Sequence, residues 1–346
     1  MINDQNKDNR ELLGKKNALV IGGAGFIGSH LCDELVKTRN VVCLDNYSTG
    51  EEKNIDQLLA AENFKFIRHD ITEPIDLEKF PELAPFKISY LGIQEIFNLA
   101  CPTSPKYFKD NVVPTMLANS LGVRNALELA IRYKAKMLHF SSAVVYGPRR
   151  SEARIREDDP GQVDILSERS SYDEGKRFAE TMVMNYRQAL KADTRIVRLF
   201  RTYGPRMKLG DNQLIPDLIT AALDGRELTI PGGENFSSSF CYVSDVIDAA
   251  LKMISRDLPG PVNVGSDQDL RLGDLAQKII KTTGSKSKVV YGQEVFFYSM
   301  LGLPDISLAR EALDWMPIVT LEKGLEKTIY DLRASKGLID FKSNQL

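Results

Sequence analysis

Hydrophobic positions along the chain fall into short β-rich runs, at 18–21, 41–44, 65–67, 95–99, 136–140 and 195–200. Between them lie longer stretches with helical spacing, up to Lys37, around 119–133 and across 175–190. Strands that alternate with helices of about ten or more residues require crossovers, which are right-handed and build a parallel sheet. The pattern predicts a doubly wound α/β core over 17–200. After Phe200 the rhythm breaks into turns at Tyr203-Gly-Pro205, Pro231-Gly-Gly233 and Pro304-Asp305, with shorter helices at 215–224, Leu272–Thr283 and 321–335. Residues 201–346 are therefore expected to form a smaller α+β lobe that returns some segments to the first domain. Residues 1–16 are rich in Asn, Asp, Lys and Gln and bury too little surface to offset the entropy of ordering, so a disordered arm is expected there.

Composition narrows the function classes. The 346 residues are 43% hydrophobic, enough for a sizeable core. The 45 Lys+Arg against 47 Asp+Glu leave a formal charge of −2, without the basic field that nucleic acid or an anionic membrane would need. No apolar run approaches the roughly 18 residues of a membrane helix, and the first sixteen residues lack the apolar region of a signal peptide. A cytoplasmic protein without a membrane or nucleic-acid partner is expected. The four cysteines, Cys32, Cys43, Cys101 and Cys241, form no C-x-x-C, and there are only three histidines, so the thiols read as structural and no metal site is expected.

Directly after the first predicted strand stands Gly22-Gly-Ala-Gly25-Phe-Ile-Gly28, which holds the spacing G-x-G-x-x-G and opens a helix. Glycines there allow a tight turn and close approach to a pyrophosphate, whose charge meets the positive helix N-terminus. With Phe26 and Ile27, these residues form the expected cofactor cradle. The second strand ends at Asp45, 17 residues past Gly28, where a carboxylate can accept from both hydroxyls of an adenosine ribose. Asp45 would repel a 2′-phosphate, and Asn46 follows it instead of an Arg, so NAD is favoured over NADP. Asp70 and Ile71 flank the adenine in this reading, although a strand-end Asp needs no ligand. The whole has the signature of a Rossmann-type sheet.

Tyr172-Asp-Glu-Gly-Lys176 places a phenol and an ammonium four residues apart on one helix face. Ser141-Ser142 lies about 30 residues upstream at a predicted strand end, where doubly wound sheets present ligands. Tyr172 is expected to act as general base on a substrate hydroxyl held by Ser142, with the Lys176 charge and an oxidised nicotinamide both favouring the phenolate.

These segments, together with Asp45-Asn-Tyr-Ser-Thr-Gly50, Ser141-Ser-Ala-Val-Val-Tyr-Gly147, Tyr203-Gly-Pro-Arg206 and Phe240-Cys-Tyr-Val-Ser-Asp245, resemble the extended short-chain dehydrogenase/reductases that modify nucleotide sugars. The resemblance runs from about Asn17 to Leu332. The nearest branch looks like the UDP-glucuronate decarboxylases, through Leu99-Ala-Cys-Pro-Thr-Ser-Pro105, Ser171-Tyr-Asp-Glu-Gly-Lys-Arg-Phe-Ala-Glu-Thr181 and Leu313-Asp-Trp-x-Pro317. It implies oxidation of a sugar hydroxyl, usually at C4, by tightly held NAD, with Leu99 near the cofactor. It also implies a nucleoside-diphosphate sugar substrate near Thr103, Ser104 and Arg206, and a homodimer formed by the helices around 119–133 and 172–190.

The departures from that branch are informative. Its acidic residue in the strand-end motif falls on Val144, and its Arg before a Pro-Asp pair falls on Gly302, ahead of Leu303-Pro304-Asp305. Losing both charged partners should cost decarboxylation several kcal/mol of transition-state stabilisation. The Ser-Ser-Ala-Val-Val-Tyr-Gly motif instead looks like that of the epimerases. The family's Asn after the sixth-strand Phe is Arg201, and its diphosphate-binding Arg two residues before Phe240 is Ser238. A relocated cation at Arg201 would take over the charge once supplied at 238 or recognise an acidic sugar group.

The leading expectation is thus an NAD-dependent 4-epimerase. The alternatives are a decarboxylase with another charge arrangement, a C4 oxidase, and a non-catalytic NAD-binding protein. The basic stretch Arg149-Arg150 and Arg154-x-Arg156 reads as a solvated loop, within a 148–170 connection long enough to act as a lid. Trp315, His30, His69 and His139 read as packing residues. The segment 71–93 has no assigned role.

Overall fold

The alternation of β-branched runs with amphipathic helices produces one seven-stranded sheet, with every neighbouring pair parallel, in a computed structural model that describes residues 14–293, 298 and 300–343. The arm expected over 1–16 falls, for residues 1–13, outside the described residues.

The strands are β1 (Asn17–Ile21), β2 (Asn40–Asp45), β3 (Phe64–Arg68), β4 (Glu95–Asn98), β5 (Lys136–Ser142) and β6 (Thr194–Leu199). A later strand, Val262–Val264, joins the edge beside β6, so the chain after residue 200 contributes to the first sheet. The spatial order runs from that strand through β6, β5, β4, β1 and β2 to β3. It reverses direction between β4 and β1, which opens a crevice at the strand C-termini.

Period-two alternation splits the strands between two cores. Ala18, Val20, Val41, Cys43 and Phe140 face the side covered by α1 (Phe26–Leu35) and by the later helix Val243–Ser255, which carries Val246 and Ala250. Leu19, Ile21, Val42, Leu44 and Met137 face the opposite side, with Val123, Leu127, Ala179 and Val183. Burial on both faces explains why these strands read as continuous apolar runs.

The helices extend beyond their sequence-predicted limits. The one expected at 119–133 begins as α2 (Val112–Leu117), passes through a π-turn at Ala118–Gly122 and continues as α3 (Val123–Tyr133). The one expected at 175–190 is α4 (Ser170–Leu190), which brings Tyr172 into its first turn. Segment 71–93 is a run of tight turns and a short helix whose Leu77, Leu83, Phe86 and Ile88 seal the second core.

The 148–170 connection is strapped to the C-terminal lobe by bridges from Pro148 to Leu301 and from Ile155 to Pro304. Its Arg149 is not solvated. That side chain is 5% exposed and reaches Ser237 Oγ and Asp269, both at 3.0 Å. Trp315 is buried and donates to the Asp245 carbonyl at 2.9 Å, as a packing residue should.

Candidate active site

A cavity of about 630 Å³ occupies the crevice at the reversal of strand order. At its cofactor end, Gly22 takes a positive φ of 82°, and its N–H donates to the Leu44 carbonyl at 2.8 Å, which turns the chain out of β1. A Cβ on Gly28 would collide with the Gly22 carbonyl, so only glycine lets the helix start lie this close to the strand end. A Cβ on Gly25 would meet nothing nearer than the Gly22 oxygen at 3.3 Å. The open side of that loop leaves room for a pyrophosphate above the N-terminus of α1, beside Phe26 and Ile27.

Asp45 ends β2 in the same cavity, 8% exposed. One carboxylate oxygen accepts from Ala24 N–H at 3.0 Å and the other from Tyr47 N–H at 2.8 Å. These two bonds orient the carboxylate and leave lone pairs for ribose hydroxyls. Burial raises its pKa, with the backbone hydrogen bonds acting in the opposite direction. Asn46 donates to Asp70 at 2.9 Å, and Asp70 also accepts from Thr72, so this corner is preorganised next to Ile71. Burial of Asp70 is outweighed by these bonds, and its carboxyl sits below the usual range. The residues present fit a dinucleotide with an unphosphorylated ribose.

The proton-transfer residues gather at the other end, where Ser142, Tyr172 and Lys176 all line the cavity. Tyr172 and Ser142 line the same end of the cavity, and the Tyr172 ring lies 6.0 Å from that of Phe108. Lys176 is 4% exposed and its Nζ donates to the Phe140 carbonyl at 2.9 Å. The sequence-based expectation of a depressed phenol does not hold for the protein alone. Burial raises the Tyr172 pKa, the neighbouring Cys101 adds to this, and the Ser142 hydroxyl only partly opposes it. Burial lowers that of Lys176, against the pull of Cys101 and Glu180.

Behind these residues lies a buried polar chain. Ser141 Oγ donates to Glu180 at 2.5 Å, and Glu180 accepts two bonds from Arg198 at 2.9 and 2.7 Å. Arg198 donates to the Tyr146 hydroxyl at 2.7 Å, which donates in turn to Asn263 at 2.7 Å. The chain ties β5, α4 and β6 to the strand Val262–Val264.

The expected substrate residues have divergent placements. Leu99, Thr103, Ser104, Arg201 and Arg206 line the cavity. Ser104 is buried with its hydroxyl donating to Asp211. Arg206 pairs with Asp33 of α1 at 2.7 Å. Ser238 is 2% exposed in a short antiparallel ladder with Leu270, outside the cavity. Val144 sits in the cavity wall where a carboxylate was expected from the branch pattern. A Cβ on Gly302 would meet only the tip of the Ile155 side chain, and glycine supplies no cation there.

Two cavity residues escaped the sequence reading. Cys101, read as structural, lies beside Lys176 and Tyr172 and accepts a 3.1 Å bond from Asn119. Arg169 also lines the cavity, three positions before Tyr172. The spacing would have placed it beside the phenol had the helix been started at Ser170 instead of Gly175. No group of His, Cys, Asp and Glu suited to a metal occurs among the described residues.

Residues 18–265 match the NAD dependent epimerase/dehydratase family. The chain is 36% identical over 322 residues to UDP-glucuronic acid decarboxylase 6 of Arabidopsis thaliana, an alignment covering 92% of this chain and 90% of the relative. Among solved structures it is similar to UDP-glucose 4-epimerase of Thermotoga maritima with UDP-glucose, at a TM-score of 0.81 and 25% identity, covering 92% and 99% of the two chains. The UDP-glucuronic acid 4-epimerase of Bacillus cereus, in complex with UDP-glucuronic acid and NAD, superposes with a TM-score of 0.79, 26% identity and the same coverage. With the glycine cradle, the Asp45 carboxylate and the Ser-Tyr-Lys group in one cavity, the chain belongs to the NAD-dependent epimerase/dehydratase family of extended short-chain dehydrogenase/reductases.

Proposed function

We propose that the chain is a 4-epimerase of a nucleoside-diphosphate sugar. Tyr172 takes the proton of the C4 hydroxyl while Ser142 holds the same oxygen, since both side chains line the same end of the cavity. NAD would be held by the Gly22–Gly28 turn and Asp45 and would supply both the acceptor of the C4 hydride and, after the ketone has turned over, its return to the opposite face, as well as a positive charge that eases ionisation of a buried phenol when oxidised. Lys176 fixes the floor of the site through its bond to the Phe140 carbonyl. After the ketone has turned over in the cavity, Tyr172 returns the proton to the C4 oxygen of the opposite configuration.

The observation that carries the choice of reaction is the wall beside Ser142. Val144 offers no carboxylate and Gly302 carries no side chain, so neither group that would polarise a departing carboxylate is in place. Epimerisation needs only the hydroxyl, the Tyr-Lys pair, the cofactor and space. Decarboxylation of UDP-glucuronate is the second reading, favoured by the UDP-glucuronic acid decarboxylases at about 35% identity. Product analysis by NMR separates the two, since inversion at C4 supports the first and a pentose product the second.

A homodimer belongs to the same proposal. Val113, Met116 and Leu121 near the π-turn and Phe178 on α4 leave large apolar side chains exposed, and α2 packs against α4. Size-exclusion chromatography with light scattering tests it, and a monomer would refute it.

A further inference from the structure

The turn at 203–207 follows the Rossmann strands in the chain, yet its Tyr203, Arg206 and Met207 line the same cavity as Gly25 and Phe26 of the cofactor cradle. Its backbone is strained at Arg206, whose φ of 65° lies in the left-handed region that residues with a Cβ disfavour. A residue keeps such a conformation where its neighbours over-determine it, and functional sites are where this strain is stored.

The neighbours of Arg206 come from two helices. Its N–H donates to Asp331 of the C-terminal helix Leu321–Ser343 at 2.8 Å. Its guanidinium pairs with one oxygen of Asp33 on α1 at 2.7 Å, and its Nη1 is buried as well. The other Asp33 oxygen accepts from Gln57 at 2.9 Å, so both are engaged. One residue earlier, the Pro205 carbonyl accepts from His30 Nε2, also on α1, at 3.0 Å. A carbonyl only accepts, so His30 carries its proton on Nε2. Burial first, with the Arg206 charge adding to it, lowers the His30 pKa against the Pro205 bond, and the ring is neutral at neutral pH. That ring stands edge-on to Phe26, with 5.9 Å between the ring centres. The C-terminal helix holds the turn a second time, where the Tyr203 hydroxyl donates to the Leu321 carbonyl at 3.3 Å. A Cβ on Gly324 would collide with the same hydroxyl, so the helix packs directly on the turn.

We infer that Asp331 is a positioning residue for the cofactor: with Arg206 and Asp33 it forms a clasp that fastens the C-terminal helix to α1 at the cofactor end of the cavity and slows the release of NAD. A dinucleotide in the Gly22–Gly28 cradle would lie between α1 and the 203–207 turn, and the clasp ties these two walls together. Asp331 does not line the cavity, so it acts through Arg206, whose strained backbone its carboxylate holds in place. The guanidinium of Arg206 is thereby committed to α1 instead of the substrate. The inference holds whichever sugar is bound and whichever reaction follows.

The test reads cofactor release without turnover. Protein loaded with NADH is mixed in a stopped-flow instrument with excess NAD, and the loss of bound-nicotinamide fluorescence gives the rate. Asp331→Ala is expected to speed release by about tenfold, as loss of one charge-assisted hydrogen bond implies. Asp331→Asn keeps an oxygen for the Arg206 N–H and should stay within about twofold of the wild type. Arg206→Gly breaks the pair with Asp33 and relieves the strain, since glycine takes a positive φ freely, so adding Asp331→Ala to it should speed release no further. Asp33→Ala, at a partly exposed position of α1, should also speed release, and it decides the matter if Asp331→Ala does not fold. Wild-type rates in Asp331→Ala, or in Asp33→Ala, would overturn the clasp. So would an Asp331→Asn protein as fast as Asp331→Ala, or an equal acceleration by Asp331→Ala with and without Arg206→Gly, since Asp331 would then act by some route other than this turn.

Discussion

The ammonium of Lys176 donates to the carbonyl of Phe140 at 2.9 Å, and this bond joins α4 to the strand that ends in Ser142. Tyr172 and Ser142 are thereby held on two elements locked together at their buried faces, not on mobile loops. Tyr172→Phe keeps the ring and its contact with Phe108 but removes the proton acceptor. Turnover should fall by about 10²–10⁴, with the NAD content of the purified protein unchanged. A variant of undiminished activity would remove Tyr172 from the mechanism, and one without NAD would make its role structural.

Asp45 faces the ribose position with its two oxygens oriented by Ala24 and Tyr47. A 2′-phosphate there would meet a carboxylate in a buried setting, at a cost of several kcal/mol. Cofactor released by denaturation should be NAD, and NADP should bind at least about a hundredfold more weakly, as that cost implies. Asp45→Asn should narrow the gap. Comparable affinities for the two cofactors in the wild type would contradict the reading of this corner.

The Glu180–Arg198 pair is buried, each side chain 11% exposed, with a bidentate contact. Glu180→Gln leaves the guanidinium buried without its counter-charge and should cost about 3–5 kcal/mol. Urea unfolding monitored by circular dichroism reads this directly. A loss below about 1 kcal/mol would mean that water or a rearranged neighbour replaces the carboxylate.

Asp217 has its pKa pushed up to about 6, by burial first, with the Tyr298 hydrogen bond opposing and Asp211 adding to it. The folded protein thus holds this proton more tightly than the unfolded chain. Its stabilising contribution is complete below the ordinary value of 3.8 and is lost as pH rises through about 6. Asp217→Asn keeps an acceptor for Tyr298 and removes the buried charge. Because the side chain is partly solvated, a gain of only about 1 kcal/mol is expected at pH 7.5, and none at pH 4. Thermal melts at the two pH values check the sign, and an equal effect at both would refute it.

Much of this architecture is legible in the sequence, for identifiable reasons. Strands β1 and β2 are buried on both faces, so their apolar runs are uninterrupted and easily found. The Gly22–Gly28 turn and the Tyr172–Lys176 spacing are local patterns, visible without the fold. What depends on distant contacts is not visible. The start of α4 at Ser170 follows no capping signal, since Arg169 precedes it without a side-chain cap, and Arg169 was passed over as a result. Arg149 looks like part of a charged loop until Ser237 and Asp269, remote in sequence, enclose it. The raised phenol of Tyr172 reflects burial, which motif spacing does not encode.

The central claim is that this cavity inverts C4 and keeps the sugar intact. Its most direct test is incubation of the purified protein with UDP-glucuronate and with UDP-glucose, followed by proton NMR of the products. The expected product is the C4 epimer of UDP-glucuronate, with the carboxylate retained and no net consumption of NAD. Formation of UDP-xylose with release of CO2 would contradict it, and would show that decarboxylation proceeds with Val144 and Gly302 in place of the charged pair.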